Sequence, residues 1–270
     1  MKWESIDRAK PRNVYIHLMK LIILGSGTSH GVPVIGCPCR VCRSVDIRNK
    51  RTRSSAWLQF DDLSIVIDTS TDFRAQALRE GMNRLDAVLY THSHADHLLG
   101  LDDTRSLSRD KPVSLYATEE TAQDIRNRFA YVFGDGPVGG GKPRVRLTTI
   151  TTDDSFKLGS VSIVPVPVYH GDLPICGYRI GSLAYITDCS RIEDHVFERL
   201  EGVRVLVIGA LREEPHPTHF TVAEAIDTSR RIGASETYLT HMCHELEHDE
   251  LGRRLPEGIW PAYDGVEIRV

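Results

Sequence analysis

Four potential metal-binding side chains are crowded into one short segment of the sequence, THSHADHLLG at residues 91–100. They are His92, His94, Asp96 and His97. Imidazole and carboxylate ligands together suit zinc, manganese or iron. Alternation along an extended chain puts His92 and His94 on the same side, and a turn into a helix allows the next two side chains to face a second metal. The segment therefore predicts a metal-binding loop.

Three further candidate ligands each end a run of residues with strand character. His170 ends SIVPVPVYH, Asp188 ends LAYITD and His241 ends TYLTH. A single polar residue in such a position is more often a surface residue or a cap. Loops at strand ends commonly carry functional residues, so we expect these three to form one rim with the histidine-rich segment.

A second group of potential ligands contains sulfur. Three of the six cysteines fall within GCPCRVC, and these are Cys37, Cys39 and Cys42. Thiolates prefer zinc, and a closed structural site needs a fourth ligand. His244, three residues after His241, is the first candidate, and the neighbouring Cys243 is the alternative. The spacing thus predicts a structural zinc beside the catalytic metals.

Composition limits the class of protein. The 270 residues are 41% hydrophobic and 26% charged, as expected of a globular protein. A net charge of −4 provides no general basic surface for a long nucleic acid. No apolar run approaches the roughly 20 residues that cross a membrane. The charged N-terminus lacks the apolar centre of a signal peptide, so we expect a cytoplasmic protein.

The pattern of elements alternates between strands and helices. Helices are predicted over 71–81, 97–107, 118–133 and 221–232, and His195 and His248 are predicted on the surface of helical segments. Each half of the sequence gives strands and then helices, which favours two mixed sheets packed face to face with helices outside. We predict one domain over residues 19–270, preceded by an extension over residues 1–18. The glycine-rich stretch 134–143 is either a mobile flap or a surface insertion.

The motifs THSHADH, PVYHGDLPICGYRI, YITDCS and YLTH resemble, in this order, those of the metallo-β-lactamase superfamily of metal hydrolases. The resemblance covers about residues 20–270. It implies an α/β (α+β) fold, the four-layer αββα sandwich. It also implies a pair of catalytic divalent metals, zinc or manganese. One metal would be held by His92, His94 and His170, the other by Asp96, His97 and His241, with Asp188 as the bridge. Asp68 in IVIDTS would orient the histidine-rich loop.

The cysteine motif narrows the resemblance. Cys-x-Cys-x-x-Cys near the N-terminus, combined with His-x-x-His near the C-terminus, is similar to the PhnP-type phosphoribosyl cyclic phosphodiesterases. The segments GTSHGVPVIGCPC and AYDGVEI resemble the same group. This resemblance implies that His244 completes the structural zinc site, and relatives of this type suggest a homodimer.

The expected reaction is attack of metal-bound hydroxide on the phosphorus of a small cyclic or nucleotide-like phosphodiester. The departing alkoxide needs a proton, and EEPHPTHFTVAEA offers two histidines before a helix. The resemblance favours His219 as the proton donor or phosphate ligand, with His216 as the alternative. His30 in GTSHGVP is a further candidate from the first loop.

Two other functions fit parts of the sequence. An RNA-processing nuclease of the same superfamily would need a basic exosite, and RNKRTR at 48–53 is the one modest basic cluster we find. A non-catalytic metal-binding accessory protein would not need a proton donor. Hydrolysis of a phosphodiester would separate an enzyme from an accessory protein. A comparison of a 2′,3′-cyclic nucleotide with a structured RNA would separate the two enzymes.

Overall fold

The computed structural model describes residues 19–134 and 141–270. The predicted extension, residues 1–18, lies outside the described residues, as do residues 135–140 of the glycine-rich stretch. In the described ranges, no helix has the length and apolar character needed to span a membrane.

Two sheets, each with seven strands among the described residues, form the centre of the fold. The strands of the first sheet, in spatial order, are β14 (Glu267–Arg269), β1 (Lys20–Gly25), β2 (Ser55–Gln59), β3 (Ser64–Ile67), β4 (Ala87–Leu89), β5 (Val113–Ala117) and β6 (Val145–Thr149). Neighbours from β14 to β3 are antiparallel, and neighbours from β3 to β6 are parallel. The carboxyl ends of β3 and β4 therefore lie at the same edge.

The second sheet has the same mixed character. Its strands, in spatial order, are β13 (Ile259–Pro261), β12 (Glu236–Thr240), β11 (Val205–Gly209), β10 (Leu183–Ile186), β9 (Leu173–Ile180), β8 (Val161–His170) and β7 (Phe156–Leu158). Neighbours from β13 to β10 are parallel, and neighbours from β10 to β7 are antiparallel. A hairpin around Gly181 and Ser182 joins β9 to β10. Three parallel strands, β10, β11 and β12, thus end at one edge.

Helices cover the outer faces of the sheets. The α-helices are α1 (Phe73–Arg79), α2 (Ala95–Leu98), α3 (Glu119–Arg128), α4 (Ala130–Phe133), α5 (Val222–Ile232) and α6 (His248–Arg254). Three 3-10 segments among the described residues cover Ile47–Asn49, Leu99–Ser108 and Asp194–Leu200. Helix α5 begins with a capping box, in which Thr221 and Glu224 each bond the other's backbone amide, and ends at Gly233 with φ of 77°.

Alternating side chains of β1 show how the layers are built. Leu21 and Ile23 pack with Tyr185 of β10 in the core between the sheets. Ile22 and Leu24 point the other way and pack with Phe73 of α1. Strand β10 behaves similarly, since its other face packs in a separate cluster with residues of α5. The alternation confirms the predicted αββα sandwich, in which both sheets are buried on both faces.

The helix predicted over 97–107 differs from the structure. Helix α2 ends at Leu98, and the 3-10 segment follows. The Gly100 amide donates to the Thr69 carbonyl at 3.0 Å instead of continuing the α-helical ladder. A Cβ atom at Gly100 would lie 2.1 Å from the Ser70 carbonyl oxygen. Close packing on the chain after β3 thus tightens this segment, and only glycine fits there.

The prediction that His248 lies on the surface is wrong, whereas His195 is exposed as predicted. The His248 side chain is covered by the ring of Tyr263, 5.6 Å away between centroids. Its amide donates to the Asn49 side chain at 2.9 Å. Only 7% of His248 is exposed, because the loop that contains Asn49 packs over the start of α6. The local pattern of the sequence carries no signal of this distant loop.

Candidate metal centre

Asp68, directly after β3, holds the histidine-rich segment in place. Its Oδ1 accepts a hydrogen bond from the Thr91 amide at 2.8 Å, and its Oδ2 accepts one from the Thr91 hydroxyl at 2.8 Å. Oδ2 also lies 2.7 Å from Nδ1 of His97. This contact fixes Nδ1–H of His97 on the carboxylate and leaves its Nε2 for the centre.

The first group of potential ligands contains Asp96, His97, Asp188 and His241. Their ligand atoms all lie within 4.8 Å of one another, and all four residues are buried. Nε2 of His97 lies 3.2 Å from Asp96 Oδ2 and 3.3 Å from Asp188 Oδ1. Nδ1 of His241 lies 3.0 Å from the same Asp188 oxygen. Ligand atoms that share one cation at about 2.0–2.2 Å have separations of this size.

The second group contains His170, Asp188 and His219, also with ligand atoms within 4.8 Å. Two further histidines lie against it. The ring centroid of His94 is 5.2 Å from that of His170 and 4.6 Å from that of His92. The structure therefore brings the seven sequence-predicted ligands to one place and adds His219 to them. Asp188 is the residue that belongs to both groups.

Three buried polar atoms at the centre make no well-aligned hydrogen bond among the described residues, although two of them form the ion-pair contact of 3.2 Å between Asp96 and His97. They are Nε2 of His92, Oδ2 of Asp96 and Nε2 of His97. A buried polar atom without a partner costs about 1–3 kcal/mol, so native proteins rarely leave several together. Divalent cations at the two groups of potential ligands would supply the missing partners. The residues present thus fit divalent metals in both number and chemical type.

Electrostatics support the same conclusion. Burial lowers the pKa of His92 and of His241, so both rings are neutral, the state in which imidazole binds metal. Burial also favours the neutral form of His97, but the carboxylates around it, foremost Asp188 and Asp96, raise its pKa well above the ordinary value. Without metal, a proton on His97 balances these carboxylates. A bound cation would replace that proton.

The backbone at three of these residues is strained. Among the described residues other than glycine, only three have positive φ: Asp68 at 60°, Asp188 at 53° and His241 at 57°. Each follows closely on the carboxyl end of a strand, β3, β10 or β12. Such a conformation costs on the order of 1 kcal/mol or more and persists where surrounding structure enforces it. The sharp turns bring side chains from both sheets to the same edge.

Three residues that hold the histidines were not predicted from the sequence. The Thr218 carbonyl accepts a hydrogen bond from Nδ1 of His170 at 2.7 Å, which leaves Nε2 of this ring for metal. Both ring nitrogens of His241 contact hydroxyls, Ser54 at 3.0 Å and Thr28 at 3.2 Å. These contacts join residues that are 48 to 213 positions apart in the chain, so no local sequence motif predicts them.

The sulfur ligands form a separate closed group. The structure brings together Cys37, Cys39, Cys42 and His244. Nδ1 of His244 lies 3.3 Å from Sγ of Cys37, 3.4 Å from Sγ of Cys39 and 3.6 Å from Sγ of Cys42. In a tetrahedral zinc site, with bonds of about 2.3 Å to sulfur and about 2.0 Å to nitrogen, this separation is about 3.5 Å. The alternative ligand, Cys243, lies outside the group, and its sulfur accepts a hydrogen bond from the Glu245 amide.

A buried arginine supports the segment that joins the two centres. Arg51 is 1% exposed and donates to the carbonyls of Cys243 at 3.0 Å and Leu246 at 2.8 Å. Burial lowers the pKa of its guanidinium to about 10. These two bonds bracket His244, three residues after His241. The segment therefore has a fixed path between the sulfur group and the catalytic centre.

The two histidines proposed as proton donors lie beside the centre. The ring of His219 is 4.6 Å from that of His170 and 4.9 Å from that of His241, between centroids. His216 is one ring further out, 5.1 Å from His219. Burial, followed by the neighbouring His241, lowers the pKa of His219 to about 3. His30 is exposed and lines the same open cleft as His216 and His219.

Comparison with known proteins identifies the class. The Beta-lactamase superfamily domain matches residues 64–242. The chain therefore belongs to the β-lactamase superfamily, and its described residues form a site suited to divalent metals. The zinc-bound PqqB of Methylobacterium extorquens shares the fold, with a TM-score of 0.77 at 20% identity over 93% of this chain and all of that one.

Within the superfamily, the chain is PhnP-like. A crystal structure described as a new diphosphatase from the PhnP family is 43% identical, with a TM-score of 0.88 over 94% of this chain and 97% of that one. A Porphyromonas gingivalis protein named octanoyltransferase is 44% identical over 252 residues, which are 92% of this chain. The chain spans only 51% of the length of that relative, whose name refers to the whole protein.

Proposed function

We propose that the protein hydrolyses small cyclic or nucleotide-like phosphodiesters with two divalent metals. The observation that carries this proposal is the position of Asp188, which belongs to both groups of potential ligands. One carboxylate between two ligand groups is the arrangement that a pair of bridged cations requires. Zinc and manganese both suit this mixture of imidazole and carboxylate.

The predicted ligand assignment is compatible with the geometry. His92, His94 and His170 would hold one metal, and Asp96, His97 and His241 the other, with Asp188 between them. When bound, the metals would activate a water for attack and offset negative charge on the phosphoryl oxygens. Cys37, Cys39, Cys42 and His244 would hold a separate structural zinc, whose donor set is closed by four protein ligands.

The residues of the chain would then perform the remaining steps. Asp68 orients the histidine-rich segment through three contacts, to Thr91 and His97. His219 lies beside the rings of both His170 and His241, and it also lines the neighbouring cleft. Its low pKa keeps the free ring neutral, and the remaining N–H donates a hydrogen bond to a phosphoryl oxygen. The negative charge of a bound phosphate would raise this pKa and allow the ring to protonate the departing alkoxide. The neighbouring cleft receives the rest of the substrate.

Cleavage of a diphosphate bond is the second candidate. It is favoured by the described activity of the PhnP-family structure that is 43% identical to this chain. In both reactions the attacked phosphorus would lie beside the metals that these ligand groups would hold. They differ in the leaving group. A departing phosphate depends less on protonation than a departing alkoxide does. Net charge of −4 argues for a small substrate of either kind over a long nucleic acid.

A substrate panel on protein with defined metal content tests the proposal. The panel contains a 2′,3′-cyclic nucleotide, bis-(p-nitrophenyl) phosphate, a nucleoside diphosphate and a structured RNA. We expect the protein loaded with zinc or manganese to turn over the small diesters. The Asp188→Asn variant should turn over none of them. Preference for the nucleoside diphosphate would select the second candidate. Turnover of the RNA alone would indicate a nuclease, and no turnover at all would leave only a metal-binding role.

A further inference from the structure

His94 has the weakest support among the five histidines predicted as metal ligands. In each of the other four, a ring nitrogen lies 2.7 to 3.0 Å from an oxygen atom, and these rings belong to His92, His97, His170 and His241. The ring of His94 makes no hydrogen bond to the described residues, and the residue is exposed, whereas His92 is buried. The orientation of the His94 ring therefore depends on its backbone.

The backbone next to His94 is held by helix α3. The Arg128 guanidinium donates through Nη1 to the Ser93 carbonyl, and the Ser93 hydroxyl donates to Oδ2 of Asp124. Nη2 of Arg128 donates to the same Asp124 oxygen at 3.3 Å. These three residues form the Ser93 clamp. The Ser93 carbonyl is part of the planar peptide unit that ends at Cα of His94, so the clamp restricts the direction in which the His94 side chain leaves the backbone.

Helix α3 is a firm support for the clamp. Asp124 and Arg128 are four residues apart, so they lie on the same face of the helix. Another face of the helix is fully buried through Ala122 and Ile125, which belong to the same apolar cluster as Ile22 of β1. The helix is thereby packed on the first sheet, and its position relative to the end of β4 is fixed by the core.

The clamp and Asp68 hold different parts of the histidine-rich segment. Asp68 is buried and contacts Thr91 and the ring of His97. The clamp is partly exposed and contacts only the residue between His92 and His94. In the proposed ligand assignment, His97 and His94 would hold different metals. The two supports therefore act on different members of the metal pair.

We propose that Ser93, Asp124 and Arg128 are positioning residues for His94, and that helix α3 thereby raises the affinity for the metal that His92, His94 and His170 would hold. The proposal rests on the ligand assignment in the proposed function. A ligand that is already oriented loses less conformational freedom when the metal binds. The clamp thus replaces the hydrogen bond that orients each of the other four rings.

Manganese titration tests the clamp without using turnover. The full chain is first loaded with zinc at the cysteine group, whose thiolates do not favour manganese, so manganese reports on the catalytic pair. Free manganese is counted by its EPR signal. We expect Arg128→Gln to weaken one of two binding steps about 3- to 10-fold, the effect of about one hydrogen bond, and to leave the other step unchanged.

Arg126→Gln is the matched control for this variant. Arg126 lies on the same helix, its side chain is 41% exposed against 40% for Arg128, and it pairs with Glu119 at 3.9 Å, away from the clamp. Its manganese affinities should equal those of the wild type. Ser93→Ala should weaken the same step as Arg128→Gln does, and Ser93→Thr, which keeps the hydroxyl, should restore it.

A second background separates positioning from a general structural role. In His94→Ala, the further change Arg128→Gln should weaken manganese binding no more, because the ring on which the clamp acts is missing. A structural role alone would weaken binding by the same factor in both backgrounds, and this result would overturn the proposal. Unchanged manganese affinities in Arg128→Gln, or an equal change in Arg126→Gln, would also overturn it. Two normal manganese steps without turnover of any phosphate substrate would instead refute the proposed function, while the affinities of Arg128→Gln still decide the clamp.

Discussion

Nδ1 of His97 lies 2.7 Å from Oδ2 of Asp68, and both side chains are fully buried. The same carboxylate accepts hydrogen bonds from the amide and hydroxyl of Thr91, which directly precedes the first histidine of the segment. One residue at the end of β3 therefore sets both the path of the histidine-rich loop and the orientation of a ring within it. It does so without entering the groups of potential ligands.

The Asp68→Asn variant tests this relationship. An amide fills the same space but cannot accept all three hydrogen bonds, so His97 loses its fixed orientation. We expect the affinity for the catalytic metals to fall about 10- to 100-fold. Metal competition with a chelator measures the change. Asp61→Asn, in the exposed turn between β2 and β3, is the matched control and should leave the affinity unchanged. If the metal affinity of Asp68→Asn equals that of the wild type, Asp68 does not position the loop.

His219 is tested by varying the leaving group. We expect His219→Ala to lower kcat for a 2′,3′-cyclic nucleotide about 10²- to 10⁴-fold, because its alkoxide leaving group needs a proton. Bis-(p-nitrophenyl) phosphate should lose much less, since p-nitrophenolate leaves without protonation. Metal content should remain that of the wild type. An equal loss with both substrates would contradict a role as proton donor, and a loss of metal would make His219 a ligand.

The sulfur group is tested by a pair of cysteine variants. We expect Cys39→Ser to release about one zinc per chain, because a closed site loses one of its four ligands. Cys243→Ser removes a neighbouring sulfur that lies outside the group, so its zinc content should equal that of the wild type. Elemental analysis of the purified proteins gives both values. We also expect Cys39→Ser to bind the catalytic metals more weakly, since His244 and His241 share one segment. Retention of all zinc by Cys39→Ser would remove the structural site.

His248 predicts a dependence of stability on pH. Burial, followed by the nearby Arg48 and Arg51, lowers its pKa to about 4 in the folded protein. An exposed histidine in the unfolded chain has a pKa of about 6.5. Between these values the unfolded state binds the additional proton, so the free energy of unfolding falls as the pH decreases from about 6.5 to about 4. The decrease attributable to this group is at most about 3 kcal/mol.

Urea unfolding at pH 7 and at pH 5 measures this effect. The metal-binding histidines also take up protons on acidification, so the informative quantity is the difference between variants. His248→Gln should lose less stability between the two pH values than the wild type does. His195→Gln replaces an exposed histidine and should behave like the wild type. An identical pH dependence in all three proteins would show that His248 does not titrate on unfolding.

The local sequence was sufficient to predict groups of potential ligands whose members are close together in the chain. The histidine-rich segment brings four potential ligands together within six residues. The direction of each side chain could be predicted, because a strand that turns into a helix has a known geometry. The cysteine motif is equally compact. The αββα layers were predictable because each half of the sequence gives strands and then helices, and because the motifs resemble those of the superfamily. Strands such as β1 are apolar at successive positions, as expected of a strand buried on both faces.

Choices between close neighbours depended on tertiary structure. Cys243 and His244 are adjacent, and only the position of the cysteine loop, about 200 residues earlier in the chain, brings His244 and not Cys243 into the group. The hydroxyls of Thr28 and Ser54 reach His241 from the other sheet. His248 was wrongly predicted to lie on the surface for the same reason, since a distant loop buries it. Each of these outcomes depends on contacts between segments that are far apart in sequence.

The sequence by itself determined the kinds of ligand available, their spacing within each short motif and the class of fold. Only the tertiary structure decided that Asp188 belongs to both groups of potential ligands and that the Thr218 carbonyl accepts a hydrogen bond from Nδ1 of His170, which leaves Nε2 of that ring unprotonated. The physical reason is the distance along the chain over which each kind of information acts. Residue types and local spacing act within one turn or strand, whereas coordination and tautomer selection require atoms to meet within about 3 Å, and the packing of the two sheets sets those distances.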